Sequence, residues 1–208
     1  MDFGPEEFAA AADVSRETLD RLVAFASELE RWNAKINLIS PKTLPELWQR
    51  HILDSAQVFA YRKPQDRNWV DLGAGGGFPG LVVAILAKEY APEMRVTLIE
   101  SDLRKSAFLS SVARTLDLPV TVISQRIEAA PPQGADVVSA RALAALDVLL
   151  PLAARHLAPG GRALLLKGAS YQDELAKLGG AWSFDLAAHP SKSGSDGVIL
   201  EIGALTHA

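Results

Sequence analysis

The chain has 208 residues, 49% of them hydrophobic and 22% charged, with a formal net charge of −4. That length and mix suit one well-cored α/β domain with a small helical attachment, and they argue against disorder over most of the chain. Cysteine is absent, which excludes a disulfide framework, a zinc ribbon, an iron–sulfur cluster and any thiol nucleophile; no metal site is expected.

The amino terminus, MDFGPEEF, is acidic and lacks the basic start and apolar stretch of a secretory signal. From about Asp13 to Asn33, the positions Leu19, Leu22, Val23, Ala26 and Leu29 follow helical spacing. The stretch INLIS, residues 36–40, stops at Pro41. A second helix is predicted from Thr43–Pro45, with Leu47, Trp48, Ile52, Ala56 and Phe59 facing inward. The polar stretch 62–68 reads as a connection, so residues 1–68 form a helical extension and 69–208 a core, together one compact unit.

Beyond that point short apolar runs alternate with helical patterns. Strands are predicted at 69–72, 96–100, 120–124, 136–139 and 163–167, and helices at 79–88, 102–116, 143–157 and 172–178. This order implies a mainly parallel sheet covered on both faces, with right-handed crossovers. The segment 142–154, the longest nearly apolar one, contains Asp147 and Pro151 and is too short to span a bilayer. A cytoplasmic protein is the resulting expectation; a monomer is expected as well, without a sequence signal for it. The runs 181–187 and 198–202 have no room for a helix between them, so they should pair antiparallel. A parallel sheet closed by such a hairpin is typical of class I S-adenosylmethionine-dependent methyltransferases, a Rossmann-like fold, and is far less usual in dinucleotide dehydrogenases.

Charge is unevenly spread. Residues 1–30 carry two basic and eight acidic side chains, whereas residues 31–68 carry seven basic and three acidic. A local positive stretch within an acidic protein can meet a polyanion over a limited area, and suits a small shaped target better than bare nucleic acid.

The segment Asp71-Leu72-Gly73-Ala74-Gly75-Gly76-Gly77-Phe78-Pro79-Gly80 follows the first strand and opens a helix. Its glycines allow close backbone approach to a ligand, and the helix start offers unpaired N–H groups. Gly75, Gly77 and Gly80 match G-x-G-x-x-G, a weak signal alone; the leading Asp71-x-Gly73-x-Gly75 is the stronger one. A carboxylate at Asp71 can hold the amino group of a methionine moiety, directly or through water, and would repel a pyrophosphate. Glu100 closes the second strand, where an acidic side chain accepts from ribose hydroxyls. After the third strand, Ile127 can pack on an adenine, and Glu128 or the nearby backbone can accept from its amino group.

The fourth strand ends in Ser139-Ala140-Arg141 and lacks the Asn/Asp-Pro-Pro-Tyr used to methylate exocyclic amines. Pyrimidine C5 methylation commonly needs a cysteine. A 2′-hydroxyl acceptor would need a lysine helped by carboxylates, an option that Lys167 keeps open. A ring nitrogen such as guanine N7 needs neither base nor nucleophile, because its lone pair attacks directly and positioning does the rest.

Several of these strings occur together in one known family. Trp32-Asn33 with Asn37-Leu38, Arg50-His51-Ile52-Leu53-Asp54-Ser55, the loop 71–80, Arg126-Ile127-Glu128, Ser139-Ala140-Arg141-Ala142 and Lys167-Gly168 run in the order found in the small-subunit ribosomal RNA guanine-N7 methyltransferases, formerly glucose-inhibited division protein B. The chain resembles that family over residues 18–202. The resemblance implies transfer of a methyl group from S-adenosylmethionine to N7 of a guanine in the 530 loop of 16S rRNA; the acidic charge favours RNA folded within the small ribosomal subunit or an assembly intermediate as the partner. The resemblance also implies cofactor contacts at Gly73, Phe78, Ile127, Glu128 and Arg141, joined by Asp71, Gly75, Gly77 and Glu100 from the loop argument. Arg50, His51, Asp54, Arg141 and Lys167 are the candidates for the acceptor site. His51 and Asp54, three apart, can share one helix face, as a hydrogen-bonded pair near RNA or as a general base. Basic groups of 31–68, with Arg104, Lys105, Arg126 and Arg141, are expected to hold the phosphate backbone, and Phe78 or Trp32 to stack on an extruded base. Where many members carry a basic residue before the last strand, this chain has Ser195-Asp196-Gly197, with Lys192 nearest. Two other readings stay open: a small-molecule methyltransferase with the helices as a lid, and an NAD-dependent oxidoreductase.

Overall fold

A computed structural model describes residues 3–193 and 196–207. Its centre is a seven-stranded sheet of β1 (Asn68–Leu72), β2 (Arg95–Ile99), β3 (Val120–Ile123), β4 (Ala135–Arg141), β5 (Leu157–Lys167), β6 (Trp182–Pro190) and β7 (Val198–His207), in the order β3-β2-β1-β4-β5-β7-β6. The first five strands are parallel, and β7 lies antiparallel between β5 and β6. The crossovers α4 (Gly80–Tyr90), α5 (Leu103–Thr115) and α6 (Leu146–His156) and the short α7 (Tyr171–Lys177) cover the faces. The hairpin strands run longer than their apolar runs, because their outer halves are exposed and carry no hydrophobic signal.

α4 explains why the amino-terminal extension exists. Leu81–Ala87 are all buried, so this helix is apolar on every side and must be covered on both. The sheet covers one side. The other is covered by α1 (Pro5–Ala12), α2 (Arg16–Asn33) and α3 (Asp54–Phe59), whose Phe8, Leu22, Phe25, Leu29, Val58 and Phe59 join Leu81–Ala87 and Phe108 in one continuous apolar core. A second core on the opposite face joins α6 to β4, β5 and β7.

Two expectations for the extension need correction. The single helix from Asp13 starts instead at Arg16, and a separate α1 precedes it; Asp13 itself turns left-handed (φ 48°) and caps α1. The second predicted helix is three unlike pieces: a 3₁₀ segment, Pro41–Glu46, a π-helical turn, Leu47–Leu53, and then α3. Pro45 has no N–H to donate, so a regular α ladder cannot form through it. The wider turn that follows buries Leu47, His51, Ile52 and Leu53 together, adding a histidine to the inward set. Such wide turns are frequent at functional sites.

The basic stretch is also split. Arg62, Lys63 and Arg67 precede the amino end of β1, at the opposite end of the sheet from its glycine loop. Arg62 lies over the Phe59 ring at 4.2 Å, and Arg67 donates to the Pro64 and Asp66 carbonyls. These three cannot share a phosphate-holding face with Lys35, Lys42 and Arg50. No helix among the described residues is long and apolar enough to cross a membrane.

Candidate functional site

β1 leads directly into the glycine loop. Gly73, Gly75 and Gly77 all have positive φ (68°, 52° and 88°), a conformation that side chains rarely adopt. Behind the loop sits Asp71, fully buried. Its Oδ2 accepts from the Gly80 amide at 3.0 Å and its Oδ1 from the Ser139 hydroxyl at 2.7 Å, while Ser139 in turn accepts from Trp69 Nε1 at 2.9 Å. Burial pushes the Asp71 carboxyl up to about 7, against the pull of those two bonds and of Arg141. A Cβ on Gly80 would come 2.7 Å from Asp71 Oδ2, so glycine is required there for the carboxylate to reach the helix start.

This corrects the expectation for Asp71. It does not face the ligand space; it ties the end of β1 to α4 and to β4, and so shapes the loop from behind. Gly77 is likewise behind the wall, with Leu81 against it.

In front of the loop lies a cavity of about 500 Å³ whose wall includes Gly73, Gly75, Phe78, Glu100, Ile127, Glu128 and Arg141. Glu100 stands just past the end of β2. Its Oε2 accepts from the Gly75 amide at 2.9 Å and its Oε1 from the Asp102 amide at 2.8 Å. A carboxylate has about four acceptor positions, so two remain for a diol. The Ile127 carbonyl accepts from His156 Nε2 at 3.0 Å, which fixes the turn that carries Ile127 and Glu128. Leu143, Val148 and Leu152 supply apolar wall on the α6 side, which sequence reasoning missed because Val148 reads as an ordinary exposed helix position. The positive-φ loop, the half-engaged carboxylate and the apolar slot fit an adenine nucleoside with an amino-acid tail.

A second cavity of about 660 Å³ adjoins the first. The two share Leu38, Ala142 and Arg141. All five acceptor candidates, Arg50, His51, Asp54, Arg141 and Lys167, line it. Leu38 is placed by Asn33, whose Oδ1 accepts from the Leu38 and Ile39 amides, and the Leu38 carbonyl sits where a Cβ on Gly76 would meet it at 3.2 Å. Asn33 and Leu38 stand in the sequence strings quoted above, but nothing in the sequence gives them this task.

The bonds among these residues differ from the expected pairing. His51 does not bond to Asp54. Its Nδ1 faces Arg141, with a guanidinium nitrogen at 2.7 Å, and its Nε2 faces the Thr43 hydroxyl at 2.9 Å. Burial, with Arg141 and Arg50 beside it, holds the imidazole down at about 3, so the ring is neutral. Asp54 instead accepts from the Ser191 and Ser193 hydroxyls at 2.8 and 3.2 Å, and Gln57 holds the Lys192 amide at 2.6 Å. Together they clasp the β6–β7 loop onto α3 and bring Asp196 and Gly197 to the acceptor cavity. Ser195 lies outside the described residues. The Lys167 ammonium is held by Glu174 at 2.6 Å and by the Ala144 carbonyl at 2.9 Å.

Arg141 is charged but has no carboxylate within ion-pair distance among the described residues. Burial lowers it to about 10, still well above neutrality. Its guanidinium lies 4.9 Å from the centre of the Phe78 ring and donates to the Arg50 carbonyl at 3.4 Å. Phe78 is nearly fully buried between Phe25 and His51, and Trp32 packs on Phe108 away from both cavities. Neither ring lines the acceptor cavity, so neither is placed to stack on a base held there, and that expectation is also corrected.

Comparison with known proteins adds three findings. Residues 18–196 match the family described as GidB, rRNA small subunit methyltransferase G. Among curated relatives, proteins named ribosomal RNA small subunit methyltransferase G are 48% identical over 202 residues in Cereibacter sphaeroides, covering 97% of this chain and 98% of that protein. The figures for Ruegeria sp. are 52% over 190 residues, 91% and 92%. Among solved structures, an O-methyltransferase from Bacillus cereus in complex with SAH superposes with a TM-score of 0.56 at 15% identity, covering 86% of this chain and 90% of that one. The T. thermophilus 16S rRNA N2 methyltransferase RsmC, in complex with AdoMet and guanosine, gives 0.54 at 15% identity, 74% and 39%. At such identity these two likenesses show the fold alone: the class I methyltransferase sheet with its antiparallel closing hairpin.

Proposed function

The chain belongs to the rRNA small subunit methyltransferase G family, and from that premise we propose that it moves the methyl group of S-adenosylmethionine to N7 of a guanine in the 530 loop of 16S rRNA. One observation carries the reading: the cavity in front of the glycine loop and Glu100 and a wider cavity lined by Arg50, His51, Asp54 and Lys167 meet at a common wall that contains Arg141. S-adenosylmethionine, when bound, supplies an electrophilic methyl carbon on a sulfonium. Glu100 is suited to its ribose through the acceptor positions left open, the Ile127–Glu128 turn to its adenine, and the loop amides to its amino-acid end.

The chemistry asked of the remaining residues is placement. N7 already carries its lone pair, so no proton must leave before attack, and a transfer in line with the sulfonium depends on holding the two reactants. The residues present agree with that demand. His51 is neutral, and both ring nitrogens face partners, Arg141 and Thr43. Lys167 Nζ is engaged by Glu174 and by the Ala144 carbonyl, which opposes its use as the base that a 2′-hydroxyl acceptor would need. Lys35, Lys42, Arg50, Arg104 and Arg126 are exposed, on segments that lead to the two cavities, and are suited to backbone phosphates. The overall acidic balance fits a folded ribonucleoprotein target better than bare RNA.

The test uses the purified chain, methyl-labelled S-adenosylmethionine and small-subunit particles from a strain lacking this protein. Mass mapping is expected to find one labelled 7-methylguanine in the 530 loop, with less transfer to deproteinised RNA. Label at another atom or nucleotide, or none, would reject the reading.

A further inference from the structure

We infer that His51 is a positioning residue: its ring holds the Arg141 guanidinium at the wall between the two cavities and thereby sets how the acceptor base meets the methyl group. This rests on the methyl-transfer reading above and adds to it a task for a residue that touches neither reacting atom.

The hydrogen-bond chemistry fixes the arrangement. Arg141 has only donors. The His51 Nδ1 at 2.7 Å must therefore accept, which puts the ring proton on Nε2, where it donates to Thr43 Oγ1 at 2.9 Å. Thr43 comes from the 3₁₀ segment, His51 from the π-helical turn and Arg141 from the end of β4, so the ring links three separate elements. The wide turn is what makes the link possible, since it brings His51 inward beside Phe78, with ring centres 5.2 Å apart. Of the guanidinium's contacts, the bond to His51 is the shortest; the Arg50 carbonyl is at 3.4 Å and the Phe78 ring at 4.9 Å. Without it, the guanidinium, which has no carboxylate within ion-pair distance among the described residues, would keep only its long bond to the Arg50 carbonyl and its contact with the Phe78 ring, too little to fix one rotamer of a long side chain. Burial, with the neighbouring cations Arg141 and Arg50, keeps the ring from protonating, so the acceptor lone pair persists across the working pH range.

Two amide replacements separate this task from a merely structural one. The oxygen of Asn falls near Nδ1 and can still accept from Arg141; the amide of Gln reaches the place of Nε2 and can bond only to Thr43. His51→Asn is expected to keep a third or more of the wild-type rate of methyl transfer to particles. His51→Gln and His51→Ala are expected to lose about 10²-fold in kcat, as displacement of a positioned group does, with the KM for S-adenosylmethionine little changed. The His51→Ala, Arg141→Ala double variant is expected to be no slower than Arg141→Ala alone. The opposite order, with Gln active and Asn inactive, would overturn the inference. So would additive losses in the double variant, or equal loss in Asn and Gln together with disappearance of an acidic limb near the usual histidine range, the mark of a general base.

Should His51→Asn fail to fold, Thr43 carries the test. Thr43→Val removes the anchor on Nε2 and is expected to slow transfer several-fold, with Thr43→Ser restoring it; a wild-type rate in Thr43→Val would overturn the inference. Mapping the label keeps the two readings apart, since transfer to an atom other than N7 would reject the proposed function while the order of variants still judges His51.

Discussion

The two cavities are built by different means. The cofactor side is made largely of backbone: a glycine loop with three left-handed residues, two amides on Glu100 and a carbonyl pinned by His156. Each of these sits at the carboxyl end of a parallel strand, and the bonds join residues 2, 25 and 29 positions apart in the chain. The acceptor side is made of side chains drawn from the 3₁₀ segment, the π turn, the ends of β4 and β5, and the β6–β7 loop. Its bonds join residues far apart, such as His51 with Arg141 and Asp54 with Ser191. A backbone cradle is damaged by adding atoms, whereas a side-chain cradle is damaged by removing them.

Arg141 belongs to both, so its loss should be felt most. Arg141→Ala is expected to slow methyl transfer by about 10²–10³-fold, the usual cost of deleting a preorganised charged donor, in an assay on small-subunit particles. A loss in cofactor affinity alone, with kcat intact, would assign Arg141 to the first cavity only.

Gly80→Ala tests the backbone side. Its added carbon would meet Asp71 and Leu98, with an expected loss of about 1–3 kcal/mol in denaturant stability and weaker binding of S-adenosylmethionine.

Asp71 gives a pH signature. Its carboxyl holds a proton up to about pH 7 in the fold and only to about 4 when unfolded. Between those values the folded chain binds the extra proton, so this group's contribution makes stability fall as pH rises through the window and level off above it. Asp71→Asn is expected to flatten that slope in denaturation curves collected from pH 5 to 8. An unchanged slope would mean that the carboxyl is ionised throughout.

The smallest effect is expected at the clasp. Ser191→Ala removes one hydroxyl from Asp54, about 1 kcal/mol or less, and should show as faster amide exchange in residues 191–193 and a modest rise in KM for particles, with cofactor binding unchanged.

The same contrast explains what the sequence disclosed. Strand–helix alternation, the loop and Glu100 are readable because glycine, proline and apolar runs act locally. Even the closing hairpin follows from the absence of room for a helix between residues 187 and 198. The acceptor side was legible as a set of residue types but not as a set of bonds. His51 and Asp54 at a spacing of three suggest a pair, yet a π turn rotates them to different partners, and that turn depends on Pro45 upstream and on burial against Phe78. Asp71 misled for a related reason: a carboxylate beside a glycine loop looks like a ligand contact until the alternation of β1 sends it inward to Gly80 and Ser139. The separate α1 is invisible to apolar spacing because Phe8 is its one large apolar residue.

The most direct test of the whole account is a crystal structure with S-adenosylhomocysteine bound. The account predicts ribose hydroxyls on Glu100, adenine against Ile127, and the sulfur facing the wall at Arg141. A ligand seated outside the 500 Å³ cavity, or one whose sulfur faces away from the acceptor side, would contradict it.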